Sequence, residues 1–562
     1  MSPERSTRPL APTGVTPAQA PVPAKALPPL PAGWTSLQRA IVLAARANLR
    51  KTAMVDSTKA SLTYASMLLR AVVLGRVLRR VVGTSPYVGL LLPPTVPTAV
   101  TNIALMLLGK IPVNLNYTAS QALVDSSVDQ CGITHVITSR KVLDRFGIVP
   151  KGTVVFLEDL PKQVTLLDKV LGAAIARLVP IAQLGRFLPG LNGDHLDQTA
   201  TVIFTSGSTG DPKGVVLSNR NVLSNIHQVS QHITLLPEES VLGILPFFHS
   251  FGFTVTIGVV LCLAKKVVYH FNPLDARIVG DLIADHALTL VLAAPTFLRT
   301  YLRKCDPKQF ATVTHMILGA EKLKPELAEE IRSALGIEPL EGYGTTELSP
   351  AVSLNVPEQV DLPDGRTLFG NRLGSVGRLL PGTEAKTVDP ESGADLAAGA
   401  SGLILIRGPQ VMVGYLNRPD ATAKVIKDGW YNTGDLGHVD DDGFLYITDR
   451  LSRFSKIGGE MVPHMGVESA IQEAIGADDP CVAVTALPDP KRGERLFVLY
   501  APEMSLSPQD VVRRLQATDM PRLWIPAADD FLAVEQIPIL GSGKVDLKEL
   551  KEVASERTRV TL

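Results

Sequence analysis

Between Trp34 and about residue 450, short β-branched runs alternate with helical ones, and no other feature constrains the fold as tightly. Tyr87-Val88-Gly89-Leu90-Leu91-Leu92 predicts a strand, Val96–Leu108 a helix and Ile111-Pro112-Val113-Asn114-Leu115 a second strand. Further strands are expected at Thr134–Ile137, Val154–Leu157, Thr289–Ala293 and Thr314–Leu318. Strands separated by helices pair as parallel neighbours, with the helices covering the sheet faces. Over residues 370–448 the pattern changes: Gly and Pro recur among short strands (LGSVGRL, GLILIRG, GFLYITD), which predicts a small antiparallel or barrel-like unit. A mixed α/β segment follows Arg450.

The expected organisation is therefore α/β. Residues 1–33, rich in Pro and Ala, read as a flexible leader. Residues 34–451 form a large N-terminal domain of parallel α/β sheets plus the small β-barrel-like unit, and residues 452–562 a small mobile α+β C-terminal domain. A chain of 562 residues can bury most of its apolar surface and needs no staple. Its four cysteines, Cys131, Cys262, Cys305 and Cys481, are far apart and form no CxxC pair, which argues against a structural zinc site or a secreted disulfide scaffold. With 55 Lys+Arg against 55 Asp+Glu the chain lacks the cationic excess of a nucleic-acid binder. No segment reaches the ~20 apolar residues of a membrane helix, and no signal peptide is evident at the N-terminus, so a cytoplasmic protein is expected.

One stretch, Leu166–Leu188 (LLDKVLGAAIARLVPIAQLGRFL), supports two readings. Leu167, Val170, Leu171, Ala174, Ile175 and Leu178 fall at helical spacing, with Lys169, Arg177 and Arg186 as the only basic groups. The segment is an ordinary core-facing helix ending at Pro180, the preferred reading, or an amphipathic element lying on a bilayer at the inner membrane face. Periodicity alone does not separate the two.

The most informative segment chemically is Thr201–Gly214, TVIFTSGSTGDPKG. An apolar strand runs into Thr205, Ser206, Gly207, Ser208, Thr209 and Gly210, then Asp211-Pro212-Lys213. Small hydroxyl residues and glycines let N–H and O–H groups converge on an anion, and a lysine adds charge, so the loop suits a polyphosphate. It is not a Walker A loop, because Lys213 is followed by Gly214 and not by Ser or Thr.

At these residues the chain resembles the adenylate-forming superfamily of acyl-CoA synthetases, luciferases and peptide-synthetase adenylation domains. Gly342-Tyr343-Gly344-Thr345-Thr346-Glu347 is similar to the second signature of that family. Tyr431-Asn432-Thr433-Gly434-Asp435, Asp449-Arg450 and Gly541-Ser542-Gly543-Lys544 follow in the family's order. The resemblance implies ATP and Mg²⁺ as cofactors. It implies that Thr205–Gly210 and Lys213 hold the outer phosphates, that Thr346 contacts the α-phosphate and that Glu347 ligates the metal. Tyr343 would stack on adenine beside the Gly319-Ala320-Glu321 loop. Asp435 would accept from the ribose hydroxyls with Arg450 at its side, and Lys544 would bridge substrate carboxylate and nucleotide. The family's small domain rotates between two half-reactions. The hinge falls at Ser452, where relatives usually carry Asp or Lys, and Lys456 matches the lysine that faces the site in the second conformation.

Leu245-Pro246-Phe247-Phe248-His249-Ser250-Phe251-Gly252 aligns with the family's acyl-pocket motif, so His249 and Phe253 are expected in the pocket. No carboxylate stands there to pair an α-ammonium, whose burial unpaired is costly, which disfavours amino acids. The apolar run Phe251–Leu263 suits an alkyl chain, so a fatty acid is the expected substrate. FHSFGFTVT, GAEKL, SKIGGEMV and PILGSGKVD look closest to the ligase half of the bifunctional acyl-glycerophosphoethanolamine acyltransferase/acyl-carrier-protein synthetase. Typical acyl-CoA synthetases read more like IKxxGxxVxPxEIE after the hinge, whereas here Ser455 replaces the Ile and Gly466 the first Glu. The resemblance thus implies acyl carrier protein as acceptor, with CoA as the alternative. A non-catalytic acyl- or nucleotide-binding module is the reading from another class. The acyltransferase hallmark HxxxxD has one match, His270…Asp275, read as structural because it lies inside the ligase region.

Overall fold

The computed structural model describes residues 22–23, 25–205, 212–361, 367–457, 460–477, 481–518, 520–539 and 545–560. Four of the expected strands, Ile111–Asn114, Tyr87–Leu91, His135–Thr138 and Thr153–Phe156, pair in that order as an all-parallel sheet. A nine-stranded sheet lies beyond it. Its parallel part runs Pro339–Gly344, His315–Leu318, Leu290–Ala293, Ser240–Gly243, Lys266–Tyr269 and Thr52–Asp56, with antiparallel strands at both edges. Ser240–Gly243, Leu290–Ala293 and His315–Leu318 are buried at every position. Strands covered on both faces read as continuous apolar runs, and this is why Leu290–Ala293 and His315–Leu318 match expected strands, while Ser240–Gly243, opened by Ser and closed by Gly, carries no such run.

The Val96–Leu107 helix is buried at every residue but Pro97. A helix apolar all round belongs between layers, and here it packs on the Tyr64–Val81 helix. Between the two large sheets sits a three-stranded antiparallel sheet, Thr199–Thr205, Lys213–Ser218 and Gly414–Tyr415. The antiparallel unit expected over 370–448 is the sheet of Glu384–Val388, Gly402–Arg407, Trp430–Val439 and Leu445–Arg450. The chain then enters a smaller α+β body. Phe454–Ile457, Glu460–Pro463, Val482–Asp489, Gly493–Tyr500 and Phe531–Ala533 make its sheet, flanked by the His464–Ile475, Pro508–Gln516 and Leu547–Val560 helices. No helix among the described residues is long and apolar enough to cross a membrane.

Two expectations need correction. The leader expected to be flexible over 1–33 does not stay free along its described part. Val22–Pro23 pairs antiparallel with Glu384–Val388, and Gly382 donates its N–H to the Lys25 carbonyl at 2.7 Å. Gly382 sits at φ +75°, and a Cβ there would come within 2.8 Å of Leu27. Proline lacks an N–H and so is tolerated on an edge strand, where half the ladder goes unused. Such a strand leaves no periodic signal.

The second correction concerns Leu166–Leu188. A helix forms over Leu166–Arg177, but Leu167, Val170, Leu171 and Leu178 point to solvent, and of the six residues assigned to a core-facing stripe only Ile175 is buried. The buried face is Asp168, Gly172, Ile175 and Ala176. Asp168 is gripped by Arg76 at 3.1 Å and Arg80 at 2.9 Å, and Gly172 lets the helix close onto Val73, where a Cβ would lie 2.5 Å from a methyl. The ion pairs and the glycine contact set the rotation of this helix, overriding its apolar stripe.

Deleting residues 1–33 should lower Tm by about 1 °C in differential scanning calorimetry, the shift expected for roughly 1 kcal/mol of lost packing in a chain this large. An unchanged Tm would mean that the docked segment contributes nothing.

Candidate active site

All six parallel strands of the nine-stranded sheet point the same way, so their C-terminal ends open onto one crevice, where ligands of open α/β sheets bind. The chain leaving four of these ends carries His249 and the predicted residues of Gly319–Glu321 and Gly342–Glu347. Ser240–Gly243 leads to Leu245–Phe251, Leu290–Ala293 to Thr296, His315–Leu318 to Gly319-Ala320-Glu321, and Pro339–Gly344 to Thr345-Thr346-Glu347. All but Phe247, which is buried in the core, line a single cavity of about 4060 Å³ that also takes in Thr205, Lys213, Asp435 and Arg450.

Backbone geometry holds the turns. Gly344 passes so close to Pro350 that a Cβ would stand 1.9 Å from its carbonyl oxygen, so only glycine fits. Ala320 adopts φ +71°, and next to it Glu321 accepts from the Thr296 hydroxyl at 2.6 Å and its N–H at 3.3 Å. Thr205 and Lys213, on either side of the loop expected to hold phosphate, are cross-strand partners of the Thr199–Thr205 and Lys213–Ser218 pair. Lys213 Nζ stands 5.1 Å from the Tyr415 ring centre, a distance at which a ring face attracts a cation. Ser206, Gly207, Ser208, Thr209 and Gly210 lie outside the described residues.

Glu347 rides on the single turn Thr346–Leu348 and accepts from the Tyr415 hydroxyl at 2.9 Å. The Ser250 and Thr346 hydroxyls are 3.4 Å apart. Asp435 and Arg450 face each other across Trp430–Val439 and Leu445–Arg450, with Arg450 Nε 3.2 Å from Asp435 Oδ1. The Tyr343 hydroxyl donates to the other oxygen of Asp435. Burial first, then the adjacent Asp435 carboxylate, pushes the Tyr343 phenol well above its usual value, so it stays a proton donor. Tyr343 therefore spans the crevice, tying the nine-stranded sheet to the antiparallel unit.

The remaining predicted residues divide. His249 lines the cavity with its ring against Phe248, but Phe253 does not: it is fully buried in the main core. The helix begins with a π-helical stretch, Gly252–Val259, and of the apolar run Phe251–Leu263 only Phe251 and Val255 reach the cavity. Lys544 lies outside the described residues, while Ile539, Val545 and Asp546 flanking it line the cavity. Lys456 does not line the cavity: its side chain is half-exposed and ion-paired with Glu391. Ser452 belongs to the turn Leu451–Arg453 that joins the two bodies. His270 is buried in a structural role, bonded to Ser57 at 2.8 Å and Asp275 at 3.2 Å.

Two site residues escaped the sequence. Tyr415 comes from a two-residue strand with no pattern to betray it. Glu341 had a signal: a carboxylate in an otherwise apolar buried strand is rare without a reason. It is buried, lines the cavity and accepts from the Leu323 N–H at 3.1 Å, and burial pushes its carboxyl up to about 7.

The geometry can be set beside known proteins. A model of the AMP-binding enzyme family matches residues 42–416. The long-chain-fatty-acid–CoA ligase of Bacillus subtilis is 30% identical over 382 residues, covering 66% of this chain and 64% of that one. The chain thus spans a little under two thirds of that relative. The probable 4-coumarate–CoA ligase 1 of Dictyostelium discoideum is 30% identical over 419 residues, 71% of this chain and 73% of the relative. Among solved structures, ATP-bound MatB from Rhodopseudomonas palustris superposes with a TM-score of 0.75 at 22% identity, covering 93% of this chain and 99% of that one, a likeness of fold.

Unfolding returns Glu341 from about 7 to an ordinary value of 4.5, so between those pH values the folded chain binds the extra proton and stability falls as pH rises. Above pH 7, Glu341→Gln should therefore be more stable than the parent by up to about 3 kcal/mol in urea unfolding, with a flatter pH profile. Equal pH profiles would show that this carboxyl titrates normally.

Proposed function

This chain belongs to the AMP-binding enzyme family, and on that premise we propose that it activates a fatty acid with ATP and passes it to a phosphopantetheine thiol. The observation that carries this reading is the convergence on one cavity of groups that suit a polyphosphate and of apolar groups. Thr205, Lys213, Thr346 and Arg450 offer hydroxyls and cations to an anion, and Glu347 a carboxylate to its cation. Leu69, Val73, Leu74, Val100, Phe204 and Phe248 line the same cavity and suit an alkyl chain.

In the first step a carboxylate oxygen of the acid attacks the α-phosphorus of ATP, and pyrophosphate leaves. Lys213 and the hydroxyls of Thr205 and Thr346 hold phosphate oxygens and are fixed before the reaction, the arrangement that best lowers a barrier with developing charge. Asp435, whose carboxylate is held by Tyr343 and Arg450, accepts from ribose hydroxyls. Lys544 bridges the acid's carboxylate and the nucleotide. The donor set also fits Mg²⁺. Glu347 offers one carboxylate, and no cluster of three His, Cys, Asp or Glu able to hold a metal occurs among the described residues. This suits a hard cation bound mainly through substrate phosphates, which would neutralise charge on the leaving pyrophosphate. In the second step a thiolate attacks the acyl carbon and AMP leaves.

The favoured acceptor is acyl carrier protein, on the wording of SKIGGEMV and PILGSGK. CoA is the second reading, favoured by the Bacillus and Dictyostelium relatives, both CoA ligases. Both present the same thiol arm.

Lys544→Ala should lower acyl-AMP formation by about 10²–10³-fold, the usual cost of a positioned group acting on the transition state, and spare transfer from preformed acyl-AMP. Equal losses in both steps would overturn the assignment. Lys456→Ala should do the reverse, and normal thioester formation in that variant would remove Lys456 from the second step. AMP release with palmitate, ATP and either holo acyl carrier protein or CoA decides the acceptor. Faster turnover with the carrier protein is expected, and preference for CoA would reverse the order of the two readings.

A further inference from the structure

Six of the fifteen large apolar side chains exposed among the described residues fall between Leu166 and Phe187. Leu166 is 77% exposed, Val170 57% and Leu178 79%. At 100° per residue, Leu166, Leu167, Val170, Leu171 and Leu178 share an arc of about 140°, with Arg177 inside it at the C-terminal end and Lys169 beside it. Scattered exposed leucines are ordinary, but a contiguous apolar face calls for something to cover it.

The charge around this face is one-sided. The Leu37–Ala47, Tyr64–Val81 and Leu166–Arg177 helices, which pack on one another, and the Ile181–Arg186 turn carry nine Lys and Arg and one acid, Asp168. That acid is buried between Arg76 and Arg80. The chain as a whole carries 55 of each sign, so the imbalance is local. The raft is rigidly held: Arg46 donates to the carbonyls of Ile175, Arg177 and Val179 at 3.0–3.1 Å, pinning the end of the Leu166–Arg177 helix.

We propose that this face docks on an anionic lipid bilayer. Leu166, Leu167, Val170 and Leu178 enter the boundary between headgroups and acyl chains, and Lys169, Arg177 and Arg186 meet lipid phosphates. A helix with an apolar arc and cationic flanks lies in the membrane plane for these two reasons together. An acidic protein would also meet the cations. Hydrocarbon is favoured because the cavity extends to this same raft, where Arg70, Val73 and Lys169 line it. On the fatty-acid reading above, and resting on it, the acid reaches the site from the bilayer; the docking itself does not depend on the acid.

The test is co-sedimentation of the full chain with vesicles. Mixed phosphatidylcholine–phosphatidylglycerol vesicles should pull it down, pure phosphatidylcholine vesicles only weakly, and salt should weaken the former. The double variant Leu167→Asp/Val170→Asp should lower partitioning at least about tenfold, with its circular dichroism and its pyrophosphate exchange in vesicle-free buffer unchanged. Should that variant not fold, Arg177→Glu/Arg186→Glu, which leaves the apolar face intact, should give a loss of similar size. A parent chain that stays in the supernatant, or variants that sediment like the parent, would overturn the proposal. So would variants that lose binding to an acidic carrier protein, or dissociate a dimer, while keeping vesicle binding. Pyrophosphate exchange is read without vesicles, so failure of docking and failure of the ligase reading are distinct results.

Discussion

A parallel ladder obliges every strand to leave the sheet at the same edge, and the rest of this structure depends on that obligation. Six strands from Thr52–Asp56 to Pro339–Gly344 share one direction. The segments that follow Gly243, Ala293, Leu318 and Gly344, distant in sequence, are therefore delivered side by side to one crevice. Each strand is held by burial on both faces, so the site rests on a stiff base while its own residues sit on turns. Gly344 shows the tolerance: its backbone passes Pro350 with no room for a methyl group.

What closes the crevice is polar. Tyr343 reaches from the nine-stranded sheet to Asp435 in the antiparallel unit, and Tyr415 reaches from the three-stranded sheet to Glu347. Buried tyrosines suit this task, because burial raises the phenol's affinity for its proton and leaves it a fixed donor beside a carboxylate. Three sheets thus meet at two acid–tyrosine contacts. The same two carboxylates are the groups a nucleotide and its cation would need, so the contacts that join the layers also orient the binding groups.

The outer surface is governed by a different balance. The Leu166–Arg177 helix turns its strongest apolar residues outward because Asp168 and Gly172 on the opposite face are more demanding. A buried carboxylate must keep its arginines, and a helix can come close only at a glycine. Losing either would leave an unpaired charge or a clash, whereas exposing leucines to water costs less in any one place. The outcome is an exposed apolar face with cations beside it and at its end, on a chain with no net charge.

Much of this was legible beforehand. The four strands of the smaller parallel sheet, and Leu290–Ala293 and His315–Leu318 of the larger, fall within a residue or two of where their β-branched runs placed them, because a strand buried on both faces must be apolar throughout; Thr52–Asp56, Ser240–Gly243 and Pro339–Gly344 were not anticipated. The family was legible in GYGTTE and the Ser/Thr/Gly loop, because binding polyphosphate restricts residue types over a short, contiguous span. What sequence could not give was anything set by contacts between distant segments. The two-residue strand of the leader has no periodicity, and Tyr415 no motif. Phe253 is apolar whether it lines a pocket or fills a core. The helix at Leu166 shows the limit most sharply: its periodicity fixed that a helix would form and that one face would be apolar. Which face turned inward was decided only in the fold, by two arginines about ninety residues away, because rotation about a helix axis is set by its neighbours and not by its own sequence.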